Sequence, residues 1–307
     1  MTVNARDVLV LVKVETTNGT DASCDAADAI ELIAEPELSP EFEMIEQQAV
    51  NGSLADLLPL VGKKSISMTL KGNLKGSGTA ATATKWSRLL QAAGFTATAT
   101  TDVDYTPEPE YKTVSVYVYR GGHLHKLLGG ASSFSIAREG AWTWSATVQG
   151  KYGGTTATAA PASPVFDSGA RYNGLAPSFT YDSHAAILRE FSFDVGAQIA
   201  ECSNINDATG IDHFIVTGHK PTGSMTVEDE ALGTWDWRGK AEANDDPGAI
   251  AFSFGSGAGN QIAFSAPNCR LGSPSESSEG GIAVLQFQVF AADSTAGGKD
   301  FLTLTSS

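Results

Sequence analysis

Few side chains in this sequence have the types and spacing that metal binding or catalysis requires. His123 and His125 are two residues apart, so on a strand they would point the same way and could supply half of a metal site. No Cys, Asp or Glu next to them completes a ligand set, and the adjacent Lys126 would repel a cation. We therefore interpret both histidines, together with His213 and His219, as structural residues.

Acidic pairs and cysteines give no stronger signal. The clusters Glu228–Glu230 and Asp245–Asp246 could bind calcium or cleave glycosides, but such runs are more often solvated strand ends and loops. No GxSxG, HExxH or P-loop motif occurs, and the glycine-rich GSGTAATAT lacks the GK[ST] ending that holds a nucleotide. Cys24, Cys202 and Cys269 are far apart and form no CxxC pair. The sequence thus predicts no enzyme, no cofactor and no metal site.

Composition indicates a soluble protein that does not bind nucleic acid through its charge. The 307 residues include 32 glycines and only 18% charged residues, which favours many short strands joined by tight turns. The net charge of −15 repels duplex DNA and anionic membranes. The apolar stretch near the N-terminus is short and interrupted by charges, so we expect neither a signal peptide nor a membrane span. Synthesis in the cytoplasm of the producing cell is the expectation.

Local patterns predict strands nearly everywhere. The segment KSISMTLKG at 64–72 alternates apolar and polar residues, which indicates a strand with one buried face. Residues 30–46 also alternate but contain two prolines, which is typical of an edge strand. Gly121-Gly122 predicts a two-residue hairpin turn. Residues 141–150 form half of a second hairpin, with Trp142 and Trp144 on one face.

One segment has helical spacing instead. In TKWSRLLQAAGF at 84–95, the residues Trp86, Leu89 and Leu90 recur on one face of a helix. Thr84 is the expected N-cap and Gly94 the expected stop. The polar stretch before this helix reads as a crossover connection. A single short helix here would cover an apolar sheet face that would otherwise stay open.

The two halves of the chain match in order, which predicts a duplication. KKSISMTLKG corresponds to KPTGSMTVED, with Met68 matching Met225, and TKWSRLLQAA corresponds to TWDWRGKAEA. The hairpin at 115–129 corresponds to IAFSFGSGAGNQIAF, and in the last strands Val148 matches Phe287. We predict a mainly β protein with tandem β-sandwich or barrel domains, each with one short α-helix: residues 1–155, a linker at 156–186, and residues 187–307.

These motifs resemble the tail tube (major tail) proteins of bacteriophages with long non-contractile tails. The resemblance is carried by LKGNLKGSGTAATATKWSRLLQAAGF, then by YTPEPEYKTVSVYVYRGGHLHKLLGGASSFSI, and then by AWTWSATVQGKY. GTDASCDAADAIEL at 19–32 resembles the N-terminal segment of that family. Agreement is good over residues 60–152, whereas the second half depends mainly on the internal repeat.

The resemblance implies a structural protein of the virion tail that is assembled in the host cytoplasm. Sheets of neighbouring subunits would join around a hollow lumen, and stacked rings would form a tube. The tube would surround the tape measure protein, contact tail terminator and tail-tip proteins, and later pass double-stranded DNA without binding it specifically. Two tube domains per chain imply a ring of three with pseudo-sixfold symmetry. If the second copy is a decoration domain, the ring would be a hexamer.

Candidate positions for these roles follow from alternation and apolarity. The polar sides of two strands are the expected lumen lining, at Ser65, Ser67, Thr69, Thr226 and Glu228. The segment 39–62 is too apolar to remain in water, so it either folds back on its own domain or reaches another subunit or ring through Leu54, Leu57, Leu58, Leu60 and Val61. Helix packing is expected from Trp86, Leu89, Leu90 and Trp235. The alternative function is a monomeric carbohydrate-binding or adhesive β-sandwich module.

Overall fold

The computed structural model describes residues 7–48, 50, 56–108, 112–172, 175, 178–243 and 245–307. The predicted Leu54 contact lies outside these residues. The strands of the first half are β1 (Val8–Val14), β2 (Ala29–Ile30), β3 (Glu37–Gln47), β4 (Leu57–Asn73), β5 (Phe95–Ala99), β6 (Val103–Pro107), β7 (Val114–Arg120), β8 (His123–Glu139) and β9 (Ala141–Ala157).

The second half also consists mainly of strands. Its strands are β10 (Thr180–Tyr181), β11 (Leu188–Asp194), β12 (Ala197–Ser203), β13 (Ile211–His219), β14 (Thr222–Glu228), β15 (Gly248–Gly255), β16 (Gln261–Leu271), β17 (Ser275–Glu279), β18 (Ile282–Ala291) and β19 (Thr303–Ser306). Two short helices, α1 (Ser87–Ala92) and α2 (Trp237–Glu242), and a 3₁₀ turn at Ala26–Asp28 complete the described elements. The prediction of a mainly β protein with a short helix in each half is confirmed.

The same set of antiparallel pairings occurs in each half. In the first half β1 pairs with β7, β3 with β4, β4 with β9, β7 with β8, and β8 with β9. In the second half β10 pairs with β15, β11 with β14, β14 with β18, β15 with β16, and β16 with β18. Met68 lies opposite Val148, and Met225 lies opposite Phe287. Met68 and Met225, which match in the sequence, therefore have partners in the sheet, Val148 and Phe287, that also match in the sequence.

A continuous path of eight strands crosses both halves. Its order is β3, β4, β9, β8, β11, β14, β18 and β17, and every step is antiparallel. The two halves meet where β8 pairs with β11. We call this path the central sheet.

The remaining strands cover one face of the central sheet. They form the runs β2–β1–β7 and β10–β15–β16–β19–β6–β5. A single cluster of buried side chains takes members from both halves and both layers, such as Val116, Met68, Met225 and Phe264. Strands β12 and β13 form a separate two-stranded sheet. The fold is thus a sandwich, and the second face of the central sheet carries the β12–β13 hairpin at Ala131 and Lys151 and is otherwise open among the described residues.

Helix α1 fills the core next to the first half of the central sheet. Leu89 and Leu90 are fully buried, and the Trp86 Nε1–H donates to the Lys75 carbonyl at 2.8 Å. Gly94 follows the helix with φ = +88°, as expected for its stop. The prediction of Thr84 as N-cap is wrong. The helix begins at Ser87, with Trp86 at the cap position and no side-chain cap, and the Thr84 hydroxyl lies 3.4 Å from the Tyr105 hydroxyl instead of accepting from a helix N–H.

Helix α2 occupies the corresponding place in the second half. The Asp236 carboxylate accepts from the Gly239 N–H at 2.8 Å, which caps the helix, and Trp237 is buried in the core. In the described part of the chain, no helix has the length and apolarity needed to cross a bilayer. The Gly121-Gly122 turn between β7 and β8 is confirmed, and both glycines have positive φ, as a two-residue hairpin requires.

Candidate assembly surfaces

The central sheet has one apolar face in the core and one polar face, on which the β12–β13 hairpin packs near Ala131 and Lys151 and which is otherwise open among the described residues. Residues directly opposite each other in an antiparallel ladder project to the same side, so the polar row can be followed from strand to strand. It runs from Ser39 on β3 to Ser67 on β4, and ends with Gln286 on β18 opposite Ser275 on β17. The remaining members of this polar face include Glu37, Glu41, Ser65, Thr69, Thr147, Gln149, Ser133, Ser135, Glu190, Ser192, Asp194, Ser224, Thr226, Gln288, Ser277 and Glu279.

Hydroxyl groups link neighbouring strands across this face. Thr69 Oγ1 lies 3.3 Å from Thr147 Oγ1, and Ser192 Oγ lies 2.8 Å from Ser224 Oγ. At the junction between the halves, Ser133 Oγ donates to Asp194 Oδ1 at 3.3 Å. Such pairs satisfy the hydrogen-bonding capacity of these hydroxyl groups within the sheet, at positions where the side chains are short.

The five predicted lumen positions all lie on this face, although with different surroundings. Ser65, Ser67 and Thr69 are half-buried along β4. Thr226 is only 6% exposed. The Glu228 carboxylate forms an ion pair with the Arg189 guanidinium, so its charge is balanced locally.

The exposed charge of the polar face is acidic. Glu37, Glu41, Glu190, Asp194 and Glu279 are exposed. The Lys151 ammonium on the same face is buried and forms an ion pair with the Asp207 carboxylate at 2.9 Å. The pKa of Asp207 is lowered to about 2, chiefly by the Thr209 hydroxyl, with further contributions from the Thr209 backbone N–H and from Lys151. A polyanion that faced this surface would find few free cations.

A second surface is the outer part of the β3–β4 hairpin, residues 42–47 and 57–61, which we call the arm. Met44 lies opposite Val61, and Ile45 lies opposite Leu60, so the two strands remain paired. Their apolar side chains are nevertheless open to solvent. The exposed fractions range from 42% for Phe42 to 87% for Leu58. Uncovered apolar surface of this extent on a two-stranded ribbon is typical of sites of protein contact.

The predicted helix-packing residues divide between the core and its margin. Trp86, Leu89 and Leu90 are buried against the first half of the central sheet. Trp235 precedes α2 and is half-buried, with its ring stacked on that of His184 at 4.3 Å between centroids. The fully buried tryptophan of this region is Trp237.

The acidic clusters considered for catalysis form ion pairs. Asp229 accepts two hydrogen bonds from Arg238, at 2.9 and 3.1 Å, and Glu230 contacts His184 at 2.9 Å. The His125 imidazole Nδ1 lies 2.9 Å from Thr155 Oγ1, and desolvation together with the nearby His123 lowers its pKa. Within the described ranges, no group of three or more His, Cys, Asp or Glu could hold a metal ion.

The sequence analysis missed several members of the polar face. Ser192 and Asp194 on β11, and Gln286 and Gln288 on β18, lie on the same side as the predicted lumen residues. The alternation in FSFD and in LQFQV carried the signal, since Phe191, Phe193 and Phe287 lie in the core. The pairing of β8 with β11 was needed to place them in one row.

The sequence was compared with known protein families and proteins. A family model described as phage tail tube protein matches residues 5–299, which is nearly the whole chain. No curated protein matches the sequence. The family match extends over both halves, including the second half, where the sequence motifs alone were weak.

Proposed function

Because the chain belongs to the phage tail tube protein family, we propose a specific way in which it builds the tube. As a member of this family it is a structural component of the virion tail that self-assembles into the tube, and not an enzyme. Our proposal concerns the symmetry of the ring, the surface that faces the lumen and the contacts between subunits.

We infer that the chain consists of tandem tube domains at residues 1–155 and 187–307 with a linker at 156–186. Support comes from the five strand pairings that recur in both halves and from the equal register of Met68 with Val148 and Met225 with Phe287. Since the family resemblance implies six tube domains per ring, three chains would form a ring with pseudo-sixfold symmetry. Six chains per ring, with one half as decoration, is the alternative.

The polar face of the central sheet is the proposed wall of the lumen. The observation that carries this proposal is that every strand of the central sheet from β3 to β17 has polar side chains on the same face, among which Ala131, Val284 and Phe290 are apolar exceptions, while most of the large apolar side chains lie in the core. Exposed acids without free cations would not trap DNA phosphates, so double-stranded DNA could slide. The tape measure protein would occupy the same channel before ejection, and terminator and tip proteins would close the ends of a long non-contractile tail assembled in the host cytoplasm.

The arm is the proposed contact to an adjacent subunit or to the next ring. Its apolar residues Leu57, Leu58, Leu60 and Val61 are exposed on the isolated chain, and their burial against another copy would stabilise the assembly. Leu54 belongs to the same proposed contact by its position in the sequence.

Negative-stain electron microscopy of the purified protein at high concentration tests the proposal. Hollow rings or tubes with threefold symmetry are expected, with six similar lobes around each ring. A ring of six chains would contradict the trimer while leaving the lumen assignment open to the next test. Solid or sheet-like polymers without a channel would refute the conduit.

The lumen assignment has its own test in phage particles. Replacing Glu190 on the polar face by Lys puts a ring of cations at the wall, which should slow DNA ejection several-fold. Glu242→Lys is the matched control, because Glu242 is exposed on α2, away from the polar face. Equal ejection rates for both variants and the parent would contradict the lumen assignment.

A further inference from the structure

The two outermost strands of the central sheet each have one side without a hydrogen-bonded neighbour. Among the described residues, β3 pairs only with β4, and β17 pairs only with β18. All five residues of β17 are exposed, and so are Ser39, Pro40 and Glu41 of β3. The unpaired N–H and C=O groups of such edges can accept another strand.

Within the chain, the β8–β11 junction between the two halves shows how two such edges pair. Strand β11 lies against β8 with Phe191 opposite Arg138 and Ser192 opposite Ala137. The ladder continues with Phe193 opposite Ile136 and Asp194 opposite Ser135. This contact joins β8 of the first half to β11 of the second half.

The free edge β3 corresponds to β11 in the repeat. Leu38 of β3 lies opposite Met68, and Phe191 of β11 lies opposite Met225, the methionine that matches Met68. The equivalent segments are therefore ELSPE at 37–41 and EFSFD at 190–194. Both contain a central serine and end in an acid on the polar face.

The other free edge, β17, corresponds to the second part of β8. Ser133 lies opposite Thr147, one residue before Val148, and Ser275 lies opposite Gln286, one residue before the matching Phe287. Ser275 and Ser277 thus take the places of Ser133 and Ser135. The side chains that meet on the polar face of the internal junction are Ser-x-Ser against Ser-x-Asp, and those on the two free edges are Ser-x-Ser and Ser-x-Glu.

We propose that β17 of one copy pairs antiparallel with β3 of a second copy in the register of the β8–β11 junction. Ser39 would lie opposite Glu279, and Glu41 opposite Ser277, with Ser275 able to donate to Glu41 as Ser133 does to Asp194. The proposal rests on the tube function and names the surface by which copies join. Because the two edges differ, the contact between copies is head-to-tail. Copies joined in this way form a closed ring when the rotation from one copy to the next divides a full turn evenly.

The free edges are less apolar than the internal junction. Phe193 and Ile136 are both buried there, whereas their counterparts are Pro40 and Ser278, which are exposed. Pro40 also lacks an N–H, which restricts indiscriminate pairing of this edge. The joint between copies should therefore be weaker than the joint within the chain and should form only when other contacts, such as the arm, bring the copies together.

Disulfide cross-linking tests this register. The double variants Ser39→Cys with Glu279→Cys and Glu41→Cys with Ser277→Cys each place two thiols at the distance of directly opposed residues. The control variant, Ser39→Cys with Ser275→Cys, separates the thiols by four residues, about 13 Å along the strand. Single variants and the parent, with its own three cysteines, report background oxidation. Assembled protein is oxidised in air and separated on a non-reducing gel.

The expected result is a ladder of linked copies for both register pairs, with about tenfold more product than the control pair. If tubes form normally but neither register pair cross-links above the control, the proposed strand pairing is wrong and the tube function stands. A specific ladder from protein that never forms rings would support the pairing and count against the tube geometry. Protein that neither cross-links nor assembles under any concentration tested would overturn both.

Discussion

Two hairpins take the same place in the two halves of the chain, yet only one of them is packed against the protein. The arm joins β3 to β4, and the β12–β13 hairpin lies between β11 and β14, the strands that correspond to β3 and β4. The β12–β13 hairpin packs on β8, with Ile211, Phe214 and Val216 buried around Ala131. The arm has no such cover among the described residues and exposes its apolar side chains.

The charges of the two hairpins differ as well. The β12–β13 hairpin is held by ion pairs between Lys63 and Glu201 and between Lys151 and Asp207, at 2.6 and 2.9 Å. The arm offers mainly apolar contacts. A hairpin that packs within the chain thus combines apolar and charged contacts, whereas the arm exposes mainly apolar side chains, as the proposed contact to another copy would require.

The largest expected effect is on assembly and comes from the arm. Replacing Leu58 and Leu60 by Ser removes two apolar anchors, so the protein concentration needed for tube formation should rise at least about 100-fold. The melting temperature of the unassembled chain should stay nearly unchanged, because both side chains are exposed there. Sedimentation and negative-stain microscopy measure the assembly.

Ile205→Ser is the control for the arm variant. Ile205 is 96% exposed in the turn between β12 and β13. Its replacement by Ser therefore removes a similar apolar group from a different surface. If the arm variant assembled normally, or if Ile205→Ser raised the concentration needed for tube formation as much as the arm variant does, the proposed difference between the two hairpins would be contradicted.

A smaller effect, on stability, is expected in the docked hairpin. Phe214→Ala should lower the free energy of unfolding by about 3 kcal/mol, because it leaves a cavity among buried side chains. Phe42→Ala in the arm should lower it by at most about 1 kcal/mol, since that ring is 42% exposed and contacts Tyr152 edge-on. Urea titration of the unassembled variants measures both. Equal losses would mean that the two hairpins contribute alike to the folded chain.

The smallest effect concerns pH. The pKa of Asp207 is lowered from 3.8 to about 2, chiefly by hydrogen bonds from Thr209 and then by Lys151. A lowered carboxyl pKa contributes stability above pH 4, and this contribution is lost as the pH falls towards 2. Because the side chain is partly solvated, Asp207→Asn should lower the free energy of unfolding by about 1 kcal/mol at pH 7 and by less at pH 3. Urea titration at both pH values, with the exposed Asp245→Asn as control, checks this; a cost independent of pH would contradict it.

Much of the fold followed from local patterns. Alternation at 64–72 and 141–150 placed Met68, Trp142 and Trp144 in the core, and the two prolines at 30–46 indicated the edge strand β3. The helix was predicted from its apolar stripe, but its start was not, because the Thr84 hydroxyl that was expected to cap it contacts the Tyr105 hydroxyl on β6, a segment 21 residues away in the sequence. The likeness of the halves was visible in the sequence because equivalent core positions need similar residues.

The sequence by itself determined which side of each strand is polar and that the two halves share one order of elements. Side-chain period and turn chemistry are local properties, so they can be read without a structure. Only the tertiary structure decided that β8 pairs with β11, that Glu228 meets Arg189, and that β3 and β17 each have one side without a partner strand among the described residues. Those choices depend on backbone hydrogen bonds and ion pairs between segments far apart in the chain, and every β-strand offers the same backbone groups. The pairing of strands, and with it the polar face of the central sheet and its two outer edges, is therefore a property of the packed fold.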